Sequence, residues 1–432
     1  MISPEIIGLA GIVLLLIFLA MRMWIGAATA IVGILGIICI RGLHQASSLM
    51  EMVPYQNSLD YSLTAMPMFI LMGMIIAVAR IGSDMYAAAH KWVGGARGGL
   101  ASATVLACAG IGAITGASTT GIMVLSKVAL PEMEKYKYDD RLSIGSIAAG
   151  SSLSALIPPS VPFILYGIMT ETSVGSLFIA GIVPGLLGVA VYIATIYTLC
   201  LINPRMGPPG PKTSLKEKIV SLRKIWSTLA LFVLVIGGIY GGLFTPTEAG
   251  AVGTLGAIAI GLFSRQLSFK GFVDSVMETG KMTGSILIMI IGVAVFSSFM
   301  TVSKLPMWLG NFIVGVDAPR VVILIFIVIL FLVLGTFMPA PAIIMLTMPV
   351  LFPVIKALGV DPIWFGVLVV KATEIGSLTP PIGINCILLS GLSGVQLSRA
   401  YKSILPFLAA DFAIVALLIA FPVLSTYLPS LM

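Results

Sequence analysis

Long apolar runs fill most of the chain, and its charged residues gather in the short segments between them. The runs at 6–21, 24–40, 182–201, 229–240 and 321–335 approach or reach the ~20 residues that carry a helix across a bilayer. Two longer stretches do not read as single spans. Residues 98–131 are interrupted by Gly110, Gly112, Gly116 and the polar run Ser118, Thr119 and Thr120, while both flanks, 91–97 and 132–141, are charged. A re-entrant hairpin with its tip at 115–120 satisfies both facts. Residues 320–353 repeat the pattern, with a tip at 335–341 that holds Gly335, Thr336, Pro339 and Pro341. After each hairpin a double proline cuts a helix-length stretch: 141–157 stops at Pro158 and Pro159, and 362–378 stops at Pro380 and Pro381. Proline lacks the backbone donor and clashes with the preceding turn, so each pair breaks its helix.

These features recur at a constant offset of 222 residues, which relates Pro131 to Pro353, Pro158 to Pro380, Pro159 to Pro381 and Pro184 to Pro406. Val128, Leu156, Ile182 and Leu186 find identical residues at the same offset. The chain reads as a duplication. Only 9% of the 432 residues are charged and 59% are hydrophobic, with mean hydropathy +1.12, against roughly 25% charged in a soluble domain. The predicted fold is therefore an all-α polytopic membrane protein. The first run lacks a basic leader segment and a small-residue cleavage site, so it reads as a retained span. A net charge of +7 does not indicate nucleic acid here, because the basic residues sit in loops between spans. The four cysteines lack metal or redox spacing, and His44 and His90 fall in expected loops, so no metalloenzyme or nucleophile constellation appears. The chain is not read as an enzyme.

Loop charge sets the orientation. With the basic linker 203–224 placed in the cytoplasm, that side collects 19 of the 24 Lys and Arg residues, Arg80, Lys212 and Lys224 among them. Both termini then fall in the periplasm, with ten complete crossings and two re-entrant segments. An odd number of crossings separates the repeats, so they are inverted. The first hairpin opens to the cytoplasm and the second to the periplasm.

Non-helical backbone at membrane depth is tolerated only where protein or a polar cavity satisfies it. Paired breaks in matching positions of two repeats point to a transporter's binding site. Unwound carbonyls and half-helix C-termini can ligate a cation without a carboxylate, and Na⁺ suits such neutral oxygen cages. Small polar residues cluster at the breaks: Ser118, Ser151, Ser152, Ser154 and Ser160 in the first half, Thr336, Ser377 and Thr379 in the second. Half-helices starting near Thr119 and Pro381 would aim N–H groups at an anionic substrate. The expected substrate region is Gly116, Thr119, Thr120, Pro339, Pro341 and Gly383. Against this stands a plainer reading, in which the prolines only kink helices and the hydroxyls bond to backbone. Lys371 and Glu374, at i and i+3, and Asp411, without a sequence-local partner, are the intramembrane charges. Thr245, Pro246, Thr247 and Glu248 match a capping box with proline at the first helical position.

The segment Gly238, Ile239, Tyr240, Gly241, Gly242, Leu243, Phe244, Thr245, Pro246, Thr247, Glu248, Ala249 resembles a signature of the large membrane subunit of tripartite ATP-independent periplasmic (TRAP) transporters. So do Leu156 to Ser160 around the first double proline and Gly376 to Gly383 around the second. The likeness covers essentially the whole chain. It implies an elevator-type transporter of the bacterial inner membrane that imports a small organic acid with Na⁺: a C4-dicarboxylate, sialic acid or a related carboxylate. It implies no cofactor beyond the coupling ion. Its implied partners are a separate small four-helix membrane subunit and a periplasmic substrate-binding protein. The resemblance places one sodium site at Gly335, Thr336, Gly376, Thr379 and Ile382. The 222-residue offset carries the other to Ala113, Ser154, Ile157 and Ser160, with neighbouring Ser118.

On this layout 1–97 and 226–319 are scaffold helices, 98–175 and 320–393 are transport-domain hairpins with their broken helices, and 176–202 is a further scaffold helix. Residues 203–225 form the cytoplasmic linker, and 394–432 form the C-terminal helix. Two rivals stay open: a stand-alone Na⁺- or H⁺-coupled carboxylate carrier, and a proton antiporter working through Glu374 and Asp411.

Overall fold

The computed structural model describes residues 3–79, 81–211, 213–315 and 319–432. Arg80 and Lys212, two of the basic residues assigned to the cytoplasm, lie outside the described residues, and only the backbone of Ile81, Lys224 and Val314 is described. Among the described residues every regular element is a helix.

The chain opens with α1 (Pro4–Ala20) and α2 (Ile25–Arg41), followed by α3 (Leu43–Ser58), α4 (Ala65–Val78) and α5 (Ile81–Val93). The first hairpin is α6 (Gly99–Thr115) and α7 (Ser118–Lys135). Its broken helix is α8 (Asp140–Ser152), one tight turn at Leu153–Ala155, and α9 (Val161–Thr170). The long α10 (Val174–Ile202) leads to the linker. The second repeat continues with α11 (Leu215–Tyr240), α12 (Pro246–Phe263), α13 (Phe269–Ser303) and α14 (Leu305–Gly315). Its hairpin is α15 (Arg320–Phe337) and α16 (Ala340–Ala357), and its broken helix is α17 (Pro362–Leu378) and α18 (Ile384–Ser393). The chain closes with α19 (Leu397–Ala420) and the short α20 (Val423–Thr426).

Both hairpins turn where glycine and proline interrupt the apolar pattern, at Gly116–Ala117 and at Met338–Pro339. Both broken helices part at their double prolines. The half-helix after the second break starts at Ile384, not near Pro381, because Gly383 at φ 53 leaves the helical backbone region and sets the new N-terminus. Seven described segments are long and apolar enough to cross a membrane singly, two of them the arms α15 and α16. The 17-residue α1, α2 and α17 fall just short of that length, and the first broken helix approaches it only as a pair.

The histidines correct an expectation. His44 lies in α3 and His90 in α5, not in loops. Both helices mix polar with apolar positions, so neither shows as an apolar run. His90 packs against the rings of Tyr86 and Tyr136, and burial pushes its imidazole pKa down.

Loop contacts sort the two ends of the bundle. The Gly207 carbonyl accepts from Gly98 N–H at 2.9 Å and the Met206 carbonyl from Asp139 N–H at 3.0 Å, tying the linker to the open end of the first hairpin. Asp140 pairs with Arg399 at 3.3 Å, so the loop before α19 shares that end. At the opposite end Tyr166 donates to the Pro362 carbonyl at 2.7 Å and Trp364 Nε1 to the Leu418 carbonyl at 2.8 Å. The linker, the open end of the first hairpin and the start of α19, all assigned to one side by charge, are thus grouped at one end.

Close helix contacts use small residues, as packing without water requires. Phe299 of α13 fills the space left by Gly36 of α2, where a Cβ would stand 2.2 Å from its ring. With Leu15, Val32 and Phe296 it forms an apolar cluster separate from the main core. By contrast, α10 runs through the main core against α6, α8, α9, α17 and α19.

Candidate functional site

Each hairpin tip docks on the break of its own repeat. In the first, Gly116 adopts φ 61, and its carbonyl accepts from Val161 N–H at 3.4 Å. A Cβ on Gly116 would stand 2.5 Å from the Pro159 carbonyl oxygen, and one on Gly112 would stand 2.3 Å from Ser154 Cα. In the second, the Thr336 carbonyl accepts from Gly383 N–H at 3.2 Å. Gly335 and Gly376 face each other closely: a Cβ on Gly376 would meet the Leu332 carbonyl at 2.5 Å and Gly335 Cα at 2.6 Å. Val161 and Gly383, the two donors, are themselves related by the 222-residue offset. On the tip side the register slips, since Gly112 and not Ala113 makes the close approach to Ser154.

The hydroxyls satisfy their own repeat's backbone. Ser154 donates to the Cys108 carbonyl at 3.3 Å, and Ser160 donates to the Ala155 carbonyl. Thr336 donates to Val333 at 2.8 Å and Thr379 to Ile375 at 2.7 Å. These bonds are what the plainer reading expected of individual Ser and Thr residues. Ser160 Oγ also accepts from Phe163 N–H at 3.4 Å, and each hydroxyl oxygen keeps at least one lone pair, so cation ligation stays chemically open. Ile157 is buried under Gly185, where a Cβ would touch its Cγ1 at 2.6 Å. Tyr401 of α19 approaches the Pro381 and Ile382 carbonyls at 2.8 and 2.7 Å, so Ile382 already faces a donor. In the substrate region Thr119 and Pro339 are exposed, Thr120 and Pro341 half-buried, and Gly116 and Gly383 buried.

The repeats also cross. The second arm of the first hairpin, α7, packs on α18, and the second arm of the other, α16, packs on α9. Asn385 of α18 donates to Ser118 Oγ at 3.3 Å and to Ser377 Oγ at 2.8 Å. Two tips and two breaks therefore meet in one region. Just beside it, Lys371 pairs with Asp411 at 2.5 Å, both fully buried, and Tyr192 of α10 donates to the same carboxylate. Asp411, which has no partner near it in sequence, has two in space. Glu374 does not share the pair.

A transporter of known structure has a similar fold. YdaH of Alcanivorax borkumensis matches with a TM-score of 0.61 over 88% of this chain and 89% of its own, at 14% sequence identity, a likeness of fold. The sequence decides the family: the profile described as "Tripartite ATP-independent periplasmic transporter, DctM component" matches residues 12–424. The chain belongs to the DctM family. The C4-dicarboxylate TRAP transporter large permease DctM of Pseudomonas aeruginosa is 33% identical over 377 residues, covering 87% of this chain and 86% of that one. The sialic acid TRAP transporter large permease SiaM of Vibrio cholerae is 33% identical over 373 residues, covering 86% and 87%. The ectoine/5-hydroxyectoine large permease UehC of Ruegeria pomeroyi is 31% identical, covering 86% of each. This DctM-family chain is thus a multi-span membrane transport protein and not an enzyme.

Three residues at or beside this candidate site escaped sequence reasoning. Asn385, two residues past Gly383 in an apolar half-helix, carried a usable signal as an isolated amide at a helix start. Tyr192 and Tyr401 reach the site from α10 and α19, far away in sequence, and nothing local marks them.

Proposed function

We propose that this chain is the translocating subunit of a Na⁺-coupled importer of small organic acids in the bacterial inner membrane. The observation that carries the reading is the paired docking, Gly116 on Val161 and Thr336 on Gly383, in a chain of the DctM family. Each docked pair surrounds unwound carbonyls with buried hydroxyls, a setting for a desolvated Na⁺. The first sodium site is drawn at Ala113, Ser118, Ser154, Ile157 and Ser160, with Gly112 added by its contact. The second is drawn at Gly335, Thr336, Gly376, Thr379 and Ile382. The start of α7 at Ser118 and the exposed Thr119 lie where an anionic group can meet free N–H donors.

The hairpins and broken helices form the moving unit, and the buried Lys371, Asp411 and Tyr192 cluster joins α10 and α19 to it, although 176–202 reads from sequence as scaffold. The helices α1, α2 and α13, with their separate apolar cluster, belong to the static scaffold. A small four-helix membrane subunit and a periplasmic binding protein complete the assembly, and both termini lie in the periplasm. The relatives named for C4-dicarboxylates and sialic acid favour a carboxylate as cargo.

The test is uptake into proteoliposomes that hold this chain with its small subunit, with a matched binding protein outside and an inward Na⁺ gradient. Uptake is expected only with both. Uptake that ignores the binding protein assigns the chain to the stand-alone carriers, and uptake that ignores Na⁺ removes the coupling.

A further inference from the structure

Glu374 is buried in α17, and its Oε2 meets no hydrogen-bond donor among the described residues. The neighbouring cation is already committed: Lys371, one turn earlier, is held by Asp411. That pair is neutral, and the Glu374 carboxylate is left over. Its surroundings are oxygen-rich. The Ser118 side chain, from the tip of the first hairpin, reaches the carboxyl, and Asn385 ties Ser118 to Ser377. The Ser377 hydroxyl donates to the Glu374 carbonyl at 2.6 Å, which closes a ring across the two repeats. Burying a carboxylate without a counter-charge costs several kcal/mol, so this carboxyl must take up either a proton or a cation, and the oxygens around it can ligate a cation.

We propose that Glu374 and Ser118 hold one Na⁺ at the junction between the first hairpin and the second broken helix. A single negative charge calls for a monovalent ion, since a divalent one would leave a surplus positive charge in a buried site. Hard oxygen ligands suit an alkali ion and not a soft metal. The site occurs once: the 222-residue offset maps Glu374 to Ser152 and Ser118 to Ala340, so the other repeat has no carboxylate there. It borders the first carbonyl cage, with Ser118 between the two, and differs from it because its charged ligand comes from the opposite repeat. Loading it adds a direct tie between the first hairpin tip and α17 to the bridge that Asn385 already makes.

The proposal rests on the sodium-coupled reading, and its test separates the two. The chain is purified with its small membrane subunit, and ²²Na⁺ bound per complex is counted at saturation, alongside the Na⁺ Hill coefficient for uptake. Glu374→Gln is expected to bind one Na⁺ fewer and to lower the Hill coefficient by about one. Glu374→Asp keeps the charge and should bind the full number with weaker affinity, which leaves a folded variant if the first fails to fold. Wild-type Na⁺ counts and affinity in either variant would overturn the site while leaving sodium coupling intact. A wild-type complex that binds no Na⁺ would overturn the coupling itself, and the site with it.

Discussion

At the first break Pro158, Pro159, Ser154 and Ser160 are all buried; the unwound backbone is held from within by the Ser160 hydroxyl on the Ala155 carbonyl, and Ser154 reaches across to the Cys108 carbonyl of the first hairpin. At the second, Pro380 and Pro381 are exposed, and the carbonyls after them are held from outside by Tyr401. The charges are one-sided as well. Lys371, Glu374 and Asp411 flank the second break, while their mates at the 222-residue offset are Ala149, Ser152 and Val189. What the duplication has kept is backbone geometry: the double prolines, the tip that docks through one amide, and the small residues that let backbones touch. Side chains that neutralise or hold that backbone have diverged, as expected if the prolines form the sites and the flanking polar groups set how each site behaves.

The ion pair gives the largest expected difference. Lys371→Met leaves Asp411 buried and uncompensated, which should cost about 3–5 kcal/mol and deplete folded protein. The double change Lys371→Met with Asp411→Leu should recover part of the loss, because it removes both buried charges. Thermal unfolding in detergent measures both. Were the single variant as stable as wild type, the cluster could not be what joins α10 and α19 to α17.

Next come the glycines, where the two repeats should behave alike. Gly376→Ala forces a Cβ against the Leu332 carbonyl, and Gly112→Ala forces one against Ser154 Cα. In both cases the obstacle is backbone, so the tip must lift from its break. With overpacking at about 1–3 kcal/mol, uptake should fall about tenfold or more in each. A silent Gly112→Ala beside a damaging Gly376→Ala would show that only the second docking carries transport.

The parts legible in the sequence are those governed by the backbone. Double prolines, glycine-interrupted apolar runs and the 222-residue offset located both hairpins and both breaks to within a few residues, since each is dictated by a missing donor or a missing Cβ. Charge counting put the linker, the open end of the first hairpin and the start of α19 on one side, and the contacts Gly98–Gly207 and Asp140–Arg399 join those three segments. Helices α3 and α5 were hidden, because each mixes polar with apolar positions and shows no unbroken apolar run. Long-range polar contacts were hidden too. The partners of Asp411 lie 40 and 219 residues away, and no periodicity encodes a contact made only when three helices pack.

Tyr401 offers the smallest effect and the finest probe of how the breaks differ. Its hydroxyl has one proton for two carbonyls, Pro381 and Ile382, so it steadies the unwound segment without filling the site. Tyr401→Phe keeps the ring and removes that anchor. A net hydrogen bond is worth about 0.5–1.5 kcal/mol, so the half-saturating Na⁺ concentration should rise about two- to tenfold, with uptake at saturating Na⁺ unchanged. Ser160→Ala removes the corresponding support at the first break, where the anchor lies within the same helix and every neighbour is buried. Because that packing also holds the first break in place, its shift should be the lesser of the two. Equal shifts would mean that the exposure of Pro380 and Pro381 has no bearing on sodium affinity. A fall in half-saturating Na⁺ for Tyr401→Phe would recast the tyrosine as a competitor that the ion must displace.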